Sequence, residues 1–230
     1  MNMLRKLLVA LLIAALGLTG AAMADAKVTV QGSGTVLMDA DRATIRVGVR
    51  ETAADVIAAQ SAVNERIQAV VEAMTAMGVD AGDIYTNMIG IYPNYDYSGE
   101  TERITNYTAY NDISVITSDI ADVGKYIDAA FEAGANTLDG VSFSASDTTD
   151  AVNQALALAM SNAMEKAKAL AEAAGMELSG IDEIRESYGY SGGNSPVMYA
   201  RTESAKDAGT RVMASQLEIT ACVEVQFELK

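Results

Sequence analysis

The stretch Ala43-Thr-Ile-Arg-Val-Gly-Val49 places an apolar side chain at every second position, at Ile45, Val47 and Val49. A period of two predicts a β-strand with one buried face. Upstream, residues 28–36 form a second strand-like run, and the turn residues Asp39-Ala-Asp41 separate the two. We therefore predict a β-hairpin from residue 27 to residue 50.

A helix is predicted directly after this hairpin. We place its N-cap at Thr52, with Asp55 at the third helical position, and its end at Gly78. The apolar residues of this segment recur at spacings of three and four, as on one face of a helix: Val56, Val63, Ile67, Val70, Met74 and Met77.

The remaining elements of the core follow from the same patterns. A strand is predicted over residues 84–92, stopped by Pro93, and a longer one over residues 104–117. A short amphipathic helix follows and ends at Gly134, and residues 138–145 form another strand. From residue 43 to residue 145 the order is β-α-β-β-α-β. This predicts an α+β fold, with one antiparallel sheet and its helices on one face.

The C-terminal part is predicted as a long helix, two strands and a long loop. Residues 148–174 carry an alanine at every fourth position, which allows another backbone to approach closely. Strands are predicted over residues 178–188 and 214–229. Between them, residues 189–213 are rich in Gly and Ser, and so long a loop is typical of a functional or disordered segment.

The N-terminus has the order of a secretory signal peptide. Arg5 and Lys6 precede an apolar run of residues 7–18, which is shorter than the roughly 20 residues that cross a bilayer. Small residues then lead to Ala24, after which we expect cleavage. We therefore expect an exported, periplasmic chain of residues 25–230 that forms one domain and is not inserted stably in a membrane.

Charge and composition exclude several classes of function. Loss of residues 1–24 removes two of the 16 basic residues and none of the 31 acidic ones, so the formal charge changes from −15 to −17. Such a charge argues against nucleic-acid binding. The chain has no histidine, which excludes Ser-His-Asp and Cys-His catalysis, and Cys222 is its single cysteine. We expect no cofactor and no metal ion.

Three segments together resemble the SIMPL domain family. They are Val30-Gln-Gly-Ser-Gly-Thr-Val36 followed by Asp41-Arg-Ala43, Phe131-Glu-Ala-Gly-Ala-Asn136 leading to Gly140-Val-Ser-Phe143, and the alanine-rich segment 159–171 with Gly175. One departure is Ala40, where the family commonly has proline. The resemblance implies an exported bacterial α+β protein, a link to oxidative-stress defence and, in some members, assembly into ring-like oligomers. It implies no catalytic residue set.

Exposed tyrosines and methionines are the candidate functional residues. Tyrosine offers a large contact area with a polar tip, so Tyr95, Tyr97, Tyr190 and Tyr199 are candidate interface residues, although tyrosines also pack on half-exposed sheet faces. Met198 and Met213, in the long loop or at its end, are the candidate oxidation-sensitive residues.

Two functions remain open on the sequence. The first is a non-enzymatic cell-envelope protein that works through self-assembly as a homo-oligomer, with a possible envelope protein partner and a link to oxidative-stress defence. The second is a small-ligand-binding protein or an enzyme that uses carboxylates and tyrosines in a cleft that the sequence does not locate. The absence of histidine and of any recognisable nucleophile arrangement favours the first.

Overall fold

The computed structural model describes residues 26–99, 101–187, 209–214 and 216–230. These residues divide into two compact units. The larger unit comprises residues 35–155 and the described part of 209–220, and the smaller unit comprises residues 26–34, 156–187 and 221–230. Two antiparallel sheets and three helices confirm the α+β class.

The elements of the described residues are numbered in chain order. The strands are β1 (Lys27–Met38), β2 (Arg42–Ala53), β3 (Ile84–Asp96), β4 (Arg103–Thr117), β5 (Thr137–Ser144), β6 (Leu178–Ser187) and β7 (Leu217–Leu229). The α-helices are α1 (Val56–Ala76), α2 (Val123–Glu132) and α3 (Thr149–Ala173).

The larger unit contains the predicted split arrangement, β2-α1-β3-β4-α2-β5. Its four strands lie in the order β3-β4-β2-β5, so β4 and β2 are central and β3 is an edge strand. The inward side chains of β2 and β4, among them Ile45, Val47 and Ile113, are almost fully buried in one cluster with Met74 of α1 and Ile127 of α2. Both helices therefore cover the same face of the sheet.

The predicted hairpin is wrong in its pairing. β1 belongs to a three-stranded sheet of order β1-β7-β6, whereas β2 belongs to the four-stranded sheet. A hairpin prediction rests on two strands and the turn between them, and it does not weigh a distant strand as partner. Here the alternating strand β7, close to 200 residues away along the chain, is the partner of β1.

Two predicted boundaries also differ. Thr52 is not the N-cap, because it lies in β2 opposite Thr108 of β4. The hydroxyl groups of these two threonines are hydrogen-bonded at 2.9 Å. The N-cap is Asp55, whose carboxylate accepts a hydrogen bond from the Ala58 N–H at 2.9 Å. Pro93 does not stop β3, since an edge strand can accommodate a proline that donates no hydrogen bond.

The smaller unit is built on the alanine face of α3. Ala159, Ala163 and Ala167 are fully buried and pack with Val30 of β1 and with three residues of β7, Val223, Val225 and Phe227. Gly32 of β1 lies beneath this helix, and a Cβ added there would meet the Ala159 carbonyl oxygen and Ala163. The alanine spacing thus serves the close approach of a helix to a strand.

In the parts of the chain that the structure describes, no helix is both long enough and apolar enough to cross a membrane.

Candidate functional site

The predicted interface tyrosines fall into two groups. Tyr95 near the end of β3 is 43% exposed, Tyr97 in the following turn is 72% exposed, and their ring centroids lie 6.1 Å apart. Tyr190 and Tyr199 lie outside the described residues, as do Met198 and the expected cleavage position Ala24. Tyr95 and Tyr97 therefore form one exposed aromatic surface at the end of β3.

Three methionines of the described residues are well exposed. Met213 is 73% exposed. Met88 on β3 and Met164 on α3 are also exposed, which the sequence did not indicate because Met164 lies in a helical pattern and Met88 in a strand-like one. By contrast, Met74 on α1 is almost fully buried in the core of the larger unit.

The outer side of β3 forms an apolar edge. β3 pairs with β4 on one side only, and no charged residue occurs in it before Asp96 at its end. Ile89 in the strand is 56% exposed, and Ile104 opposite Tyr95 is 49% exposed. We call this feature the β3 edge: the unpaired side of β3 with Ile89, Tyr95, Tyr97 and Ile104. Such an edge is a template for pairing with another strand.

The sheet of the larger unit has a second face, on the side away from its helices. On this face the arginines of β2 and the tyrosines of β3 are exposed, whereas Ser114 and Thr108 are buried. Because side chains alternate along a strand, the residues between the buried ones face this side. We call it the open face. Its residues lie in rows set by the strand register: Gly140, Arg46, Ser114 and Tyr85; Thr137, Gly48, Asp112 and Met88; Arg50, Tyr110 and Gly90; Thr52, Thr108 and Tyr92.

Asp112 occupies the middle of the open face. Its Oδ1 lies over Gly48, where a Cβ would collide with it, and the Thr137 hydroxyl donates to the same oxygen at 3.5 Å. Glycine in the interior of a central strand weakens it unless a neighbour needs the space. Gly48 therefore provides the space in which the Asp112 carboxyl lies flat on the sheet.

The electrostatics of Asp112 follow from this position. Partial burial raises the pKa of the Asp112 carboxyl above its usual value of 3.8, and the nearby charge of Asp139 raises it further. Arg50 and the Thr137 hydroxyl act in the opposite direction but more weakly. The carboxyl is thus poorly solvated and has spare acceptor capacity toward hydroxyl groups.

Tyr110 forms the aromatic centre of the open face. Its ring lies over Gly90, where a Cβ would come within 2.9 Å of the hydroxyl oxygen and two ring carbons. The Arg50 guanidinium carbon lies 5.7 Å from the ring centroid, and the Tyr92 ring lies 6.3 Å away at a tilt of 52°. The guanidinium is within the range of a cation–π contact. Gly90 thus provides space for the Tyr110 side chain, as Gly48 provides space for the Asp112 carboxyl.

The main chain of Arg50 is held by an amide side chain. Asn136 Oδ1 accepts from the Arg50 N–H at 2.8 Å, and Asn136 Nδ2 donates to the Arg50 carbonyl oxygen at 2.8 Å. β5 begins at the next residue, Thr137, so Asn136 replaces the strand pairing that would be missing at this point. This fixes the position from which the Arg50 side chain extends.

Three arginines run along the open face of β2. We call Arg42, Arg46 and Arg50, which recur at every fourth position of β2 and are all exposed, the arginine stripe. In the described residues none of them has a carboxylate within 4.0 Å. Other basic residues do pair, as Lys27 with Asp182 at 2.7 Å and Arg66 with Glu51 at 2.8 Å. In so acidic a chain, the stripe is a local concentration of positive charge, although Arg50 also acts on the Asp112 carboxyl and Arg42 on the Asp41 carboxyl.

Sequence reasoning missed the arginine stripe, although its signal was present. The apolar residues of β2 were used to predict the strand. The arginines and Gly48 occupy the alternate positions, whose side chains face the other side of the sheet. Considering both sets of alternate residues in a central strand predicts which residues lie on each face of the sheet.

The acidic turns are explained by local bonding. The Asp41 carboxylate accepts hydrogen bonds from both the N–H and the hydroxyl of Ser146, and these bonds lower its pKa. Asp147 accepts from the Thr149 N–H at 2.8 Å at the start of α3. Across the described ranges, no group of three or more His, Cys, Asp or Glu side chains is placed to hold a metal ion.

The chain is thus an α+β protein in which a split β-α-β-β-α-β sheet carries an open face and a second unit packs an alanine helix on three strands. It belongs to the SIMPL family, described as a protein of unknown function (DUF541), whose model matches residues 28–227. The match covers both units.

Two kinds of relative are similar to this chain in sequence. A 26 kDa periplasmic immunogenic protein of Brucella melitensis is 29% identical over 216 residues, which cover 89% of this chain and 85% of the relative. The Brucella abortus protein of the same description gives the same identity and coverage. The uncharacterized protein YggE of Escherichia coli K12 is 26% identical over 155 residues, or 66% of this chain and 63% of the relative. These names describe no catalytic activity.

Proposed function

We propose that this protein is a non-enzymatic component of the periplasm or cell envelope that works by assembling with further copies of itself. The location is supported by the N-terminal signal pattern and by the description of the Brucella relatives as periplasmic. Assembly is supported by one observation above all, the β3 edge, which is long, apolar and free of charge up to Asp96.

The size of the β3 edge fits an association surface. At about 3.4 Å per residue, its 13 residues extend roughly 44 Å. A second β-strand paired along part of this length gains main-chain hydrogen bonds and covers Ile89 and Tyr95. A stable interface needs about 800 Å² on each partner.

β6 supplies a natural comparison within the same chain. It is also an edge strand, and Ile184 on it is 55% exposed, nearly the same as Ile89. Both strands have two register shifts, but β6 carries Asp182, Glu183 and Arg185, whereas β3 has no charged residue before Asp96. Charged side chains on an edge strand oppose pairing with another strand. The proposal therefore assigns association to β3 and not to β6.

The test introduces one lysine on each edge of the mature chain, residues 25–230. Ile89→Lys should convert the assembly to smaller species in sedimentation velocity and light scattering, because a lysine on an edge strand opposes pairing. Ile184→Lys, matched in exposure and residue type, should leave the assembly unchanged. A wild-type chain that sediments as a monomer, or two variants that assemble equally well, would contradict the proposal.

A link to oxidative-stress defence is the second part of the proposal, and exposed methionine offers its chemistry. Peroxide converts exposed methionine to the sulfoxide. Met213 and Met88 should be oxidised first and Met74 last, as followed by mass spectrometry of peptides. Replacement of Met88, Met198 and Met213 by leucine should reduce the survival of the host in peroxide if scavenging matters. Unchanged survival with normal protein levels would remove this part of the proposal and leave assembly untouched.

A further inference from the structure

Four strands form the outer edges of the two sheets in the described residues: β1 and β6 in the smaller unit, and β3 and β5 in the larger. On β1, side chains of α3 already bond the main chain. Lys166 Nζ donates to the Gln31 carbonyl oxygen at 2.8 Å, and the Ser33 N–H donates to Asn162 Oδ1 at 3.3 Å. β6 carries the charged residues described above. Neither edge of the smaller unit is therefore suited to pair with a further strand.

The two edges of the larger unit differ in regular length and in charge. β3 keeps one register with β4 over residues 88–94, and this run contains no charge. β5 has eight residues, and its register with β2 shifts at Asp139, an exposed carboxylate within the strand. A charge in a short edge strand opposes pairing. The regular, uncharged part of β3 is thus the better template of the two.

The charge of the chain limits where two copies can meet. With a formal charge of −15, copies repel each other, and a close contact is opposed wherever each copy brings negative charge to it. When β3 meets a second β3, residues 84–95 of both copies bring none. When β3 meets β5, Asp139 lies in the contact. A second β3 is therefore the partner that the charge distribution favours.

The sequence of β3 is complementary to itself in an antiparallel register. With a two-fold axis at Gly90, residues equally distant from Gly90 on the two strands lie opposite each other. Ile89 then pairs with Ile91 of the second copy on the side of the helices, and Met88 pairs with Tyr92 of the second copy on the open face. An axis at either neighbouring residue would place Met88 opposite glycine or asparagine. Of these registers, the one at Gly90 matches apolar and aromatic side chains on both faces.

We propose that two copies of this protein pair their β3 strands antiparallel about a two-fold axis at Gly90, so that their sheets join into one sheet with four strands from each copy. This pairing rests on the proposed function, because it takes association at the β3 edge as given and adds the partner strand, its direction and its register. Such a contact is isologous and closes at two copies. A larger assembly then requires a second contact elsewhere on the chain.

Disulfide cross-linking of the mature chain, residues 25–230, tests the register in a Cys222→Ser background. Chains with Met88→Cys are co-expressed with chains with Tyr92→Cys and then oxidised gently. Both positions are exposed, so the substitutions leave the core intact. Opposite residues of an antiparallel pair have Cα atoms about 4.5–5.5 Å apart, which a disulfide spans. The co-expressed chains should therefore give a covalent dimer on a non-reducing gel.

Matched controls use the same two positions. Chains with Met88→Cys alone, or with Tyr92→Cys alone, should lose the cross-link, because like residues lie four positions apart, about 14 Å along the strand. Cross-linking of the single variants as readily as of the co-expressed chains overturns the register. A dimer from Met88→Cys co-expressed with Ser142→Cys, on the open face of β5, assigns the contact to β5 and also overturns the proposal.

The Ile89→Lys variant distinguishes failure of the register from failure of the proposed function. If Ile89→Lys dissociates the assembly but the co-expressed chains give no dimer, association at the β3 edge stands and the two-fold register is wrong. If Ile89→Lys leaves the assembly unchanged and no dimer forms, both are wrong. With the proposed register, adding Ile89→Lys to both cysteine variants abolishes the cross-link. Light scattering of the wild-type chain should then give an even number of copies, and an odd number overturns the proposal.

Discussion

The four-stranded and the three-stranded sheets are covered by helices in different ways. On the four-stranded sheet, α1 and α2 insert large side chains such as Val70, Met74 and Ile127. On the three-stranded sheet, α3 presents alanines, and Gly32 lies directly beneath the helix backbone. Large side chains can change rotamer to absorb a substitution, whereas two backbones in contact cannot. The smaller unit should therefore be the less tolerant of added atoms.

The outward surfaces of the two sheets differ as well. On the smaller unit, outward groups bond one another, as Gln31 with Glu224 at 3.4 Å and Gln226 with Thr29 at 3.2 Å. On the larger unit, the arginine stripe has no carboxylate partner among the described residues. Hydroxyl and amide groups bond one another on both surfaces, so the difference lies in the arginine stripe of the larger unit.

The largest expected effect tests the difference in tolerance. Gly32→Ala places a Cβ against the Ala159 carbonyl oxygen and should lower the free energy of unfolding by about 3 kcal/mol, at the upper end for overpacking. Gly90→Ala is the matched change on the larger unit. It meets only the mobile Tyr110 ring and should cost about 1 kcal/mol. Urea unfolding measures both, and equal losses would show that the two sheets are equally tolerant.

A smaller effect on stability is expected at a buried polar group without a hydrogen-bond partner among the described residues of the larger unit. Asn111 is buried on the side of β4 that also carries Ala109 and Ile113, and no described group bonds its Oδ1. Asn111→Leu should therefore stabilise the protein by about 1 kcal/mol, because an unsatisfied buried acceptor is removed. Asn111→Asp is the control and should destabilise it. A clear loss of stability in the leucine variant would show that Asn111 has a partner, such as a bound water.

The smallest effect concerns the pH dependence of stability. The folded-state pKa of Asp112 is raised, so this carboxyl lowers stability as pH rises from about 3.8 through that pKa. The Asp112→Asn variant should thus gain stability relative to the wild type between pH 3 and pH 7. Asp41→Asn should show the opposite trend, because its bonds to Ser146 lower its pKa. Melting temperatures at a series of pH values test both, and trends of the same sign would contradict the assignment.

Sequence patterns predicted most elements but not all partners. Alternation and helical spacing are local, so β2, α1 and α3 follow from them. The pairing of β1 with β7 depends on contacts between distant segments and was missed. The N-cap of α1 was predicted at Thr52 but is Asp55 for a related reason. Pairing with β4 continues β2 as far as Ala53, so the helix begins later.

The candidate site was predictable only in part. Tyr95 and Tyr97 are exposed at the end of β3, where the cluster of tyrosines had indicated a surface. Asp112 was not singled out, because its environment depends on Gly48 of β2 and Thr137 of β5, which are far apart in sequence. The arginine stripe was readable from the sequence of β2 alone, once both faces of that strand are considered.

The single thiol gives this protein a built-in reporter position. Cys222 lies half-buried on β7, opposite Ser187 of β6, in a different sheet from β3. Because it is the only cysteine, a spin label or fluorophore can be attached to the natural sequence without any substitution. Label-to-label distances between copies will then identify which strands meet in an assembly, and a label on this strand leaves both the β3 edge and the open face unmodified.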